Sequence, residues 1–167
     1  MSESSLVRRR EKVISDKGLS AREIPKALSE ITDEFLVELY AREVRDNEGV
    51  ALVALGGYGR AELAPSSDLD LMLIHQDRDD IDALADRIWY PLWDEGFKLG
   101  HSVRSVDQTL RLASTDLETA TSLLNARLVA GDSTLLEELL TRNEQQWVRD
   151  GLDRLDELVR NVNRRHR

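Results

Sequence analysis

The amino-acid sequence predicts an α/β (α+β) domain with a small central sheet flanked by helices, and three observations carry that prediction. Two short apolar runs, Val50 to Leu55 and Leu69 to His75, are bounded by glycines and turn residues, and their length suits buried strands better than helices. Long stretches on either side repeat their apolar residues near a 3.6-residue period. Strand and helix patterns also alternate along the chain, which is the order expected of a sheet covered by helices.

Residues 1–20 are polar and mixed and read as a flexible N-terminus, with Arg8-Arg9-Arg10 as a solvated, frayed start. From Ala21 a helix is predicted through Ile24, Leu28, Ile31, Phe35, Leu39 and Val44, with Pro25 in the first turn, where its missing N–H costs little. Asn47-Glu48-Gly49 ends it and the first strand follows. Gly56-Gly57-Tyr58-Gly59-Arg60 is then a loop opening a very short helix, and Pro65-Ser66-Ser67 a second turn before the second strand. A helix is expected over Ile81 to Trp93 with Pro91 kinking its last turn, then a strand over Phe97 to Val106. Asp107 reads as the cap of a helix through Ala113, and Asp116 as the cap of one through Ala130. Gly131-Asp132-Ser133 breaks the pattern before a helix from Thr134 to Trp147, and Gly151 interrupts again before Leu152 to Arg167. That last pattern stops in a basic run without a cap. The expected organisation is an α/β core over residues 21–115 and a helical extension over 116–167, truncated from a longer protein.

The chain has 167 residues and a net charge of −9, so it is long enough for one cored domain and lacks the basic stripe of a general nucleic-acid surface. It has no cysteine, which excludes disulfides, thiolate metal sites and cysteine nucleophiles. Neither a long apolar span nor a secretory leader is evident, so the expectation is a cytoplasmic protein with no membrane and no nucleic-acid partner.

Chemistry concentrates within fifteen residues. Asp68 and Asp70 bracket Leu69 at the start of a strand, where alternation puts both carboxylates on one face. Such a pair repels itself unless a cation intervenes, and Mg²⁺ is commonly held by one or two carboxylates together with substrate phosphates. Gly56 and Gly57, lacking Cβ atoms, let the backbone approach a triphosphate and offer it N–H groups. Ser67 can donate its hydroxyl to a phosphate or cap its turn. Arg60 reads equally as a phosphate donor and as the partner of Glu62 or Asp68. Arg104, on the same strand face as Ser102, is a further triphosphate contact, whereas His101 and His75 read as structural.

The run from Gly56 to Leu71, Gly-Gly-Tyr-Gly-Arg-Ala-Glu-Leu-Ala-Pro-Ser-Ser-Asp-Leu-Asp-Leu, resembles the signature of the nucleotidyltransferase domain of bacterial PII uridylyltransferase/uridylyl-removing enzymes. Trp89-Tyr90-Pro91-Leu92-Trp93-Asp94, Gly100-His101-Ser102-Val103-Arg104, Ala120-Thr121-Ser122-Leu123-Leu124, Ala126-Arg127-Leu128 and Gly131-Asp132 extend the resemblance over roughly residues 50–132. It implies a polymerase-beta-like nucleotidyltransferase fold with a small mixed sheet. It also implies transfer of UMP from UTP, or AMP from ATP in actinobacterial relatives, to a tyrosine of the PII nitrogen-regulatory protein, with release of pyrophosphate. Asp68 and Asp70 match the family's catalytic, metal-binding pair, for Mg²⁺ with Mn²⁺ as an alternative, and Gly56 and Gly57 match its nucleotide-binding glycines. Longer members carry an HD-type hydrolase domain and ACT domains. One departure is from the wider superfamily, as in the family itself: the strand around His101 offers no third carboxylate, which leaves the general base unidentified with Asp116 as a candidate from elsewhere; Asn125 in turn stands where the family is often acidic. The alternatives are a transferase with another acceptor and an inactive nucleotide-binding regulatory module.

Overall fold

In the computed structural model, which describes residues 5–165, four strands form one sheet: Val50–Ala54 (β1), Leu69–His75 (β2), Leu99–Ser105 (β3) and Arg127–Gly131 (β4). Their spatial order is β3-β2-β1-β4. β1 is antiparallel to both β2 and β4, while β2 and β3 are parallel, so the sheet is mixed as expected. The helices are Leu6–Ser15 (α1), Ile24–Glu43 (α2), Gly56–Gly59 (α3), Ile81–Asp94 (α4), Val106–Ala113 (α5), Leu117–Ser122 (α6) and Ser133–Arg165 (α7), with a 3₁₀ turn at Leu123–Asn125.

The two-residue period of the central strands divides the core into two layers. Leu52, Ala54, Leu71 and Leu73 face α2 and α4, packing with Leu36, Leu39 and Ile88. Ala51, Val53, Met72 and Ile74 face α5 and α7, packing with Leu110, Leu136 and Leu139. β1 is buried along its whole length, which explains why it carries no polar side chain. Each fully buried leucine contributes roughly 1.5–3 kcal/mol, so this two-sided core is the main source of stability. Gly131 serves the same packing: with φ +99° it lets β4 close on β1 where a Cβ would stand 2.4 Å from the Tyr40 hydroxyl. That hydroxyl donates to the Val50 carbonyl at 3.0 Å, and burial pushes its pKa up to about 12.

Four expectations need correction. Within residues 1–20, described from Ser5 onward, α1 is an ordered helix: Leu6 is fully buried and Arg10 is buried too. Glu95 holds its start, accepting from Ser5 Oγ at 2.6 Å and from the Val7 N–H at 3.2 Å. The charged run hid this helix because its partners lie about ninety residues away in sequence. The helix expected from Asp116 to Ala130 ends at Ser122, and residues 127–131 form β4 instead. The exposed edge of β1 needs a partner, and tertiary pairing overrides a local helical pattern in a short apolar segment. The 116–167 region therefore supplies a strand to the core sheet as well as α7. Gly151 does not interrupt α7, because one glycine lowers helix propensity by only about 1 kcal/mol against a long helix. Finally, α5 is capped by Ser105 in a reciprocal capping box with Gln108, rather than by Asp107.

Candidate active site

Asp70 is the second residue of β2, and its position is set from three sides. Its carbonyl accepts the Leu55 N–H at 3.0 Å, tying it to the end of β1. Its register partner across the parallel pair is Gly100. A Cβ on Gly100 would stand 2.2 Å from Asp70 Oδ1, and one on Gly56, which has φ +56°, would stand 2.9 Å from Oδ2. The carboxylate thus occupies a slot that exists because both walls lack side chains.

The slot opens on a cavity of about 360 Å³, lined by Gly56, Ser102 and Arg104 together with Glu118, Thr119 and Ser122 of α6. Burial, then repulsion from Asp68 and from Glu118, raises the Asp70 carboxyl above its ordinary pKa. Among the described residues no group of three His, Cys, Asp or Glu side chains lies close enough to hold an ion alone.

The sequence-predicted residues divide between two places. Gly56, Asp70 and Arg104 line this cavity. Asp68 lies one residue before β2, is exposed, and with Ser67 lines a second cavity of about 390 Å³ against α1, while still acting electrostatically on Asp70. Arg60 is exposed and paired with Glu62 at 2.8 Å, and its Nη1 donates to the Gly56 carbonyl at 3.3 Å. It therefore fills the salt-bridge role that the sequence left open beside the phosphate role. A Cβ at Gly57 would make only ordinary contacts, 3.6 Å from the Glu62 carbonyl oxygen, so any need for glycine there comes from a ligand and not from the fold. His101 packs between Trp89 and Trp93, with ring centroids 5.6 and 5.3 Å away.

Asp116 does not supply the missing acid. It caps α6, accepting from the Thr119 N–H at 2.8 Å and the Thr119 hydroxyl at 2.5 Å, and these bonds lower its pKa. The acid that reaches the cavity is Glu118, two residues on, which sequence reasoning used only as a first-turn helix signal. Glu118, Thr119 and Ser122 share one helical face, a spacing that could have marked them. Asn125 sits in the 3₁₀ turn and does not line the cavity.

A second missed group holds the glycine segment in place. Arg127 of β4 reaches Asp33 of α2 through Nη1 at 2.9 Å and Nη2 at 3.0 Å. The Tyr58 hydroxyl of α3 donates to the same Asp33, and the Arg127 guanidinium lies 5.3 Å from the Tyr58 ring centre. Gly59 lets α3 press against the 3₁₀ turn, since a Cβ there would meet the Asn125 carbonyl oxygen at 2.0 Å.

A family model described as "Putative nucleotidyltransferase DUF294" matches residues 7–108. The bifunctional uridylyltransferase/uridylyl-removing enzyme of Streptomyces coelicolor is 47% identical over 135 residues, covering 80% of this chain and 16% of that protein. The enzyme of the same description from Mycobacterium tuberculosis is 45% identical over 119 residues, covering 70% of this chain and 15% of that protein. The one from Phenylobacterium zucineum is 37% identical over 145 residues, covering 80% and 16%. The chain thus spans about 16% of the length of these curated relatives. Among solved structures, a toxin–antitoxin crystal structure with AMP-PNP aligns at a TM-score of 0.44 and 12% identity, covering 78% of this chain and 97% of that one. Among the described residues no helix is long and apolar enough to cross a membrane.

Proposed function

The chain belongs to the DUF294 nucleotidyltransferase family, and we propose that it transfers a nucleoside monophosphate from UTP or ATP to a tyrosine of a PII signalling protein, releasing pyrophosphate. The observation that carries this reading is the Asp70 carboxylate, seated between Gly56 and Gly100 and facing a cavity shared with Arg104. The similarity to uridylyltransferase/uridylyl-removing enzymes supports UTP as donor.

Asp70 and Asp68 are the residues that would hold Mg²⁺ or Mn²⁺, and the ion would polarise the α-phosphate and favour the ionised acceptor hydroxyl. The leading N–H groups of α3, at Gly56 and Gly57, have no acceptor within the helix and are free to receive phosphate oxygens. Arg104 lies on the wall of the Asp70 cavity as a charge-assisted donor to the triphosphate. Arg60 would have to leave Glu62 to join it. Ser67 sits beside Asp68 as a hydroxyl donor on the other flank. The setting we propose is cytoplasmic, with a transferase core of residues 21–115 completed by α6 and β4 from the region that follows. In a full-length protein like the relatives, HD-type and ACT domains would supply removal of the nucleotide and its regulation.

The test is calorimetric titration with non-hydrolysable UTP and ATP analogues in Mg²⁺, repeated on Asp68→Asn and Asp70→Asn. Mg²⁺-dependent binding that favours one base and disappears in both variants is the expected result. Equal binding with and without Mg²⁺, or binding that survives both substitutions, would leave a regulatory nucleotide-binding module as the better account.

A further inference from the structure

The cavity on the Asp68 side meets the proposed nucleotide site at Ser67 and Asp68, and the rest of its lining has no role there. One face of α1, formed by Val7, Arg10, Glu11 and Ile14, makes one wall. The segments leading into β2 and β3, residues 65–68 and 95–98, make the other. Asp68 lines this cavity and Asp70 the other, with the fully buried Leu69 between them in the chain.

Arg10 is its unusual element. The residue is 7% exposed, its Nη2 donates to the Pro65 carbonyl at 3.1 Å, and its guanidinium lies 5.0 Å from the Phe97 ring centre. Its Nη1 is buried and has no hydrogen-bond partner among the described residues. A buried donor left unfilled is costly, and ordered water or a ligand oxygen completes it.

We propose that this α1-lined cavity is the acceptor subsite, where a polypeptide segment bearing the nucleophilic hydroxyl lies beside Asp68 and presents an oxygen to Arg10. The assignment rests on the nucleotidyl-transfer reading above and adds to it the path of the acceptor. Displacement at the α-phosphorus is in line, so the nucleophile and the departing pyrophosphate lie on opposite sides. With the triphosphate against Gly56 and Arg104 on the Asp70 side, the nucleophile arrives from the Asp68 side. There the hydroxyl oxygen bonds to the α-phosphorus, and the bond from that phosphorus to the bridging oxygen breaks. Pyrophosphate leaves with the electron pair, and the hydroxyl proton passes to water at the exposed Asp68 edge.

The lining fits a peptide better than a free anion. Val7, Ile14 and Phe97 offer apolar surface beside Ser66 and Ser67, while Glu11, Asp68 and Glu95 outnumber Arg10 and Lys98 and would repel inorganic phosphate.

The experiment titrates a purified PII protein onto this chain loaded with Mg²⁺ and a non-hydrolysable UTP or ATP analogue, so no turnover is needed. It compares wild type with Ile14→Arg, which fills the cavity from a position 43% exposed, and with Lys98→Glu, an exposed site that leaves folding intact. The expected result is at least tenfold weaker acceptor binding in both variants, with analogue affinity measured in the absence of PII unchanged within twofold. Arg10→Lys, checked by thermal melting, is expected to fall between wild type and Arg10→Ala. Wild-type acceptor affinity in Ile14→Arg and Lys98→Glu overturns the proposal, as does a loss of analogue affinity, which would make the cavity part of the phosphate site. Failure of the loaded wild-type chain to bind the acceptor overturns it as well. Failure of wild type to bind the Mg²⁺–analogue at all instead removes the transferase reading on which it rests.

Discussion

On either side of Leu69 the chain holds two carboxylates by unlike means. Asp70 belongs to a strand: its backbone is bonded to Leu55, its register fixes Gly100 opposite, and two glycines shape its slot. Asp68 belongs to a turn, is exposed, and owes its surroundings to a helix about sixty residues earlier that docks through Glu95 and Arg10. The first geometry follows from strand pairing and is rigid. The second depends on a tertiary contact that can loosen without unfolding the sheet.

The largest effect that sharpens this contrast is predicted for Gly100→Ala. The added Cβ must displace the Asp70 carboxylate, and a misplacement of about 1 Å costs on the order of 100-fold in turnover. Transfer assays with thermal melts alongside should find activity lost and the fold kept, whereas Gly57→Ala, with room for its Cβ, should leave the melting temperature unchanged. If Gly100→Ala keeps wild-type turnover, the slot does not position Asp70.

Next comes Arg127→Met. It strips Asp33 and Tyr58 of their cationic partner, with both ends of the ion pair about one-third exposed. Removing a partner from a fully buried pair costs about 3–5 kcal/mol, and solvent screening brings the expectation here to roughly 1–3 kcal/mol. Urea denaturation reads this directly.

Glu95→Gln tests the adjustable side. It should loosen the start of α1 by about 1 kcal/mol, seen as faster amide exchange in residues 6–15 while β2 stays protected. Equal acceleration in β2 would show that the two regions do not behave separately.

The smallest effects concern pH. Because burial, Asp68 and Glu118 raise the Asp70 pKa in the folded chain, its contribution to stability is full below the ordinary value of 3.8 and is lost as pH rises through the raised value. Without divalent cations, Asp70→Asn should therefore melt slightly higher than wild type at neutral pH, with the difference vanishing in acid. Asp116 has the opposite sign. The bonds from Thr119 depress its pKa, so its contribution is present above 3.8 and lost as pH falls through the depressed value, and Asp116→Ala should cost about 1 kcal/mol at neutral pH. Glu118→Gln should let Asp70 ionise at lower pH and extend Mg²⁺-dependent nucleotide binding by a fraction of a pH unit toward acid. No change in that profile would mean that the charge of Glu118 does not reach the site.

Local patterning determined a good deal by itself. The apolar runs at 50–54 and 69–75, the turns flanking them and the 3.6-residue repeats of α2 and α4 follow from periods that each segment carries alone, and so does the meeting of Gly56 with Asp70 at adjacent strand ends. What required partners distant in sequence could not be read this way. β4 forms because the edge of β1 lacks a neighbour, and α1 because Glu95 and Pro65 receive it. The division of the paired carboxylates between two cavities, and the arrival of Glu118 beside Asp70, likewise depend on how α1 and α6 pack on the strand start. The sequence determined the elements with a strong period of their own, β1, β2, α2 and α4, and the acidic groups beside them, since period and composition are local. Only the tertiary structure decided which acids act on each other and which side chains are buried, because burial and electrostatic proximity arise from packing between segments far apart in the chain.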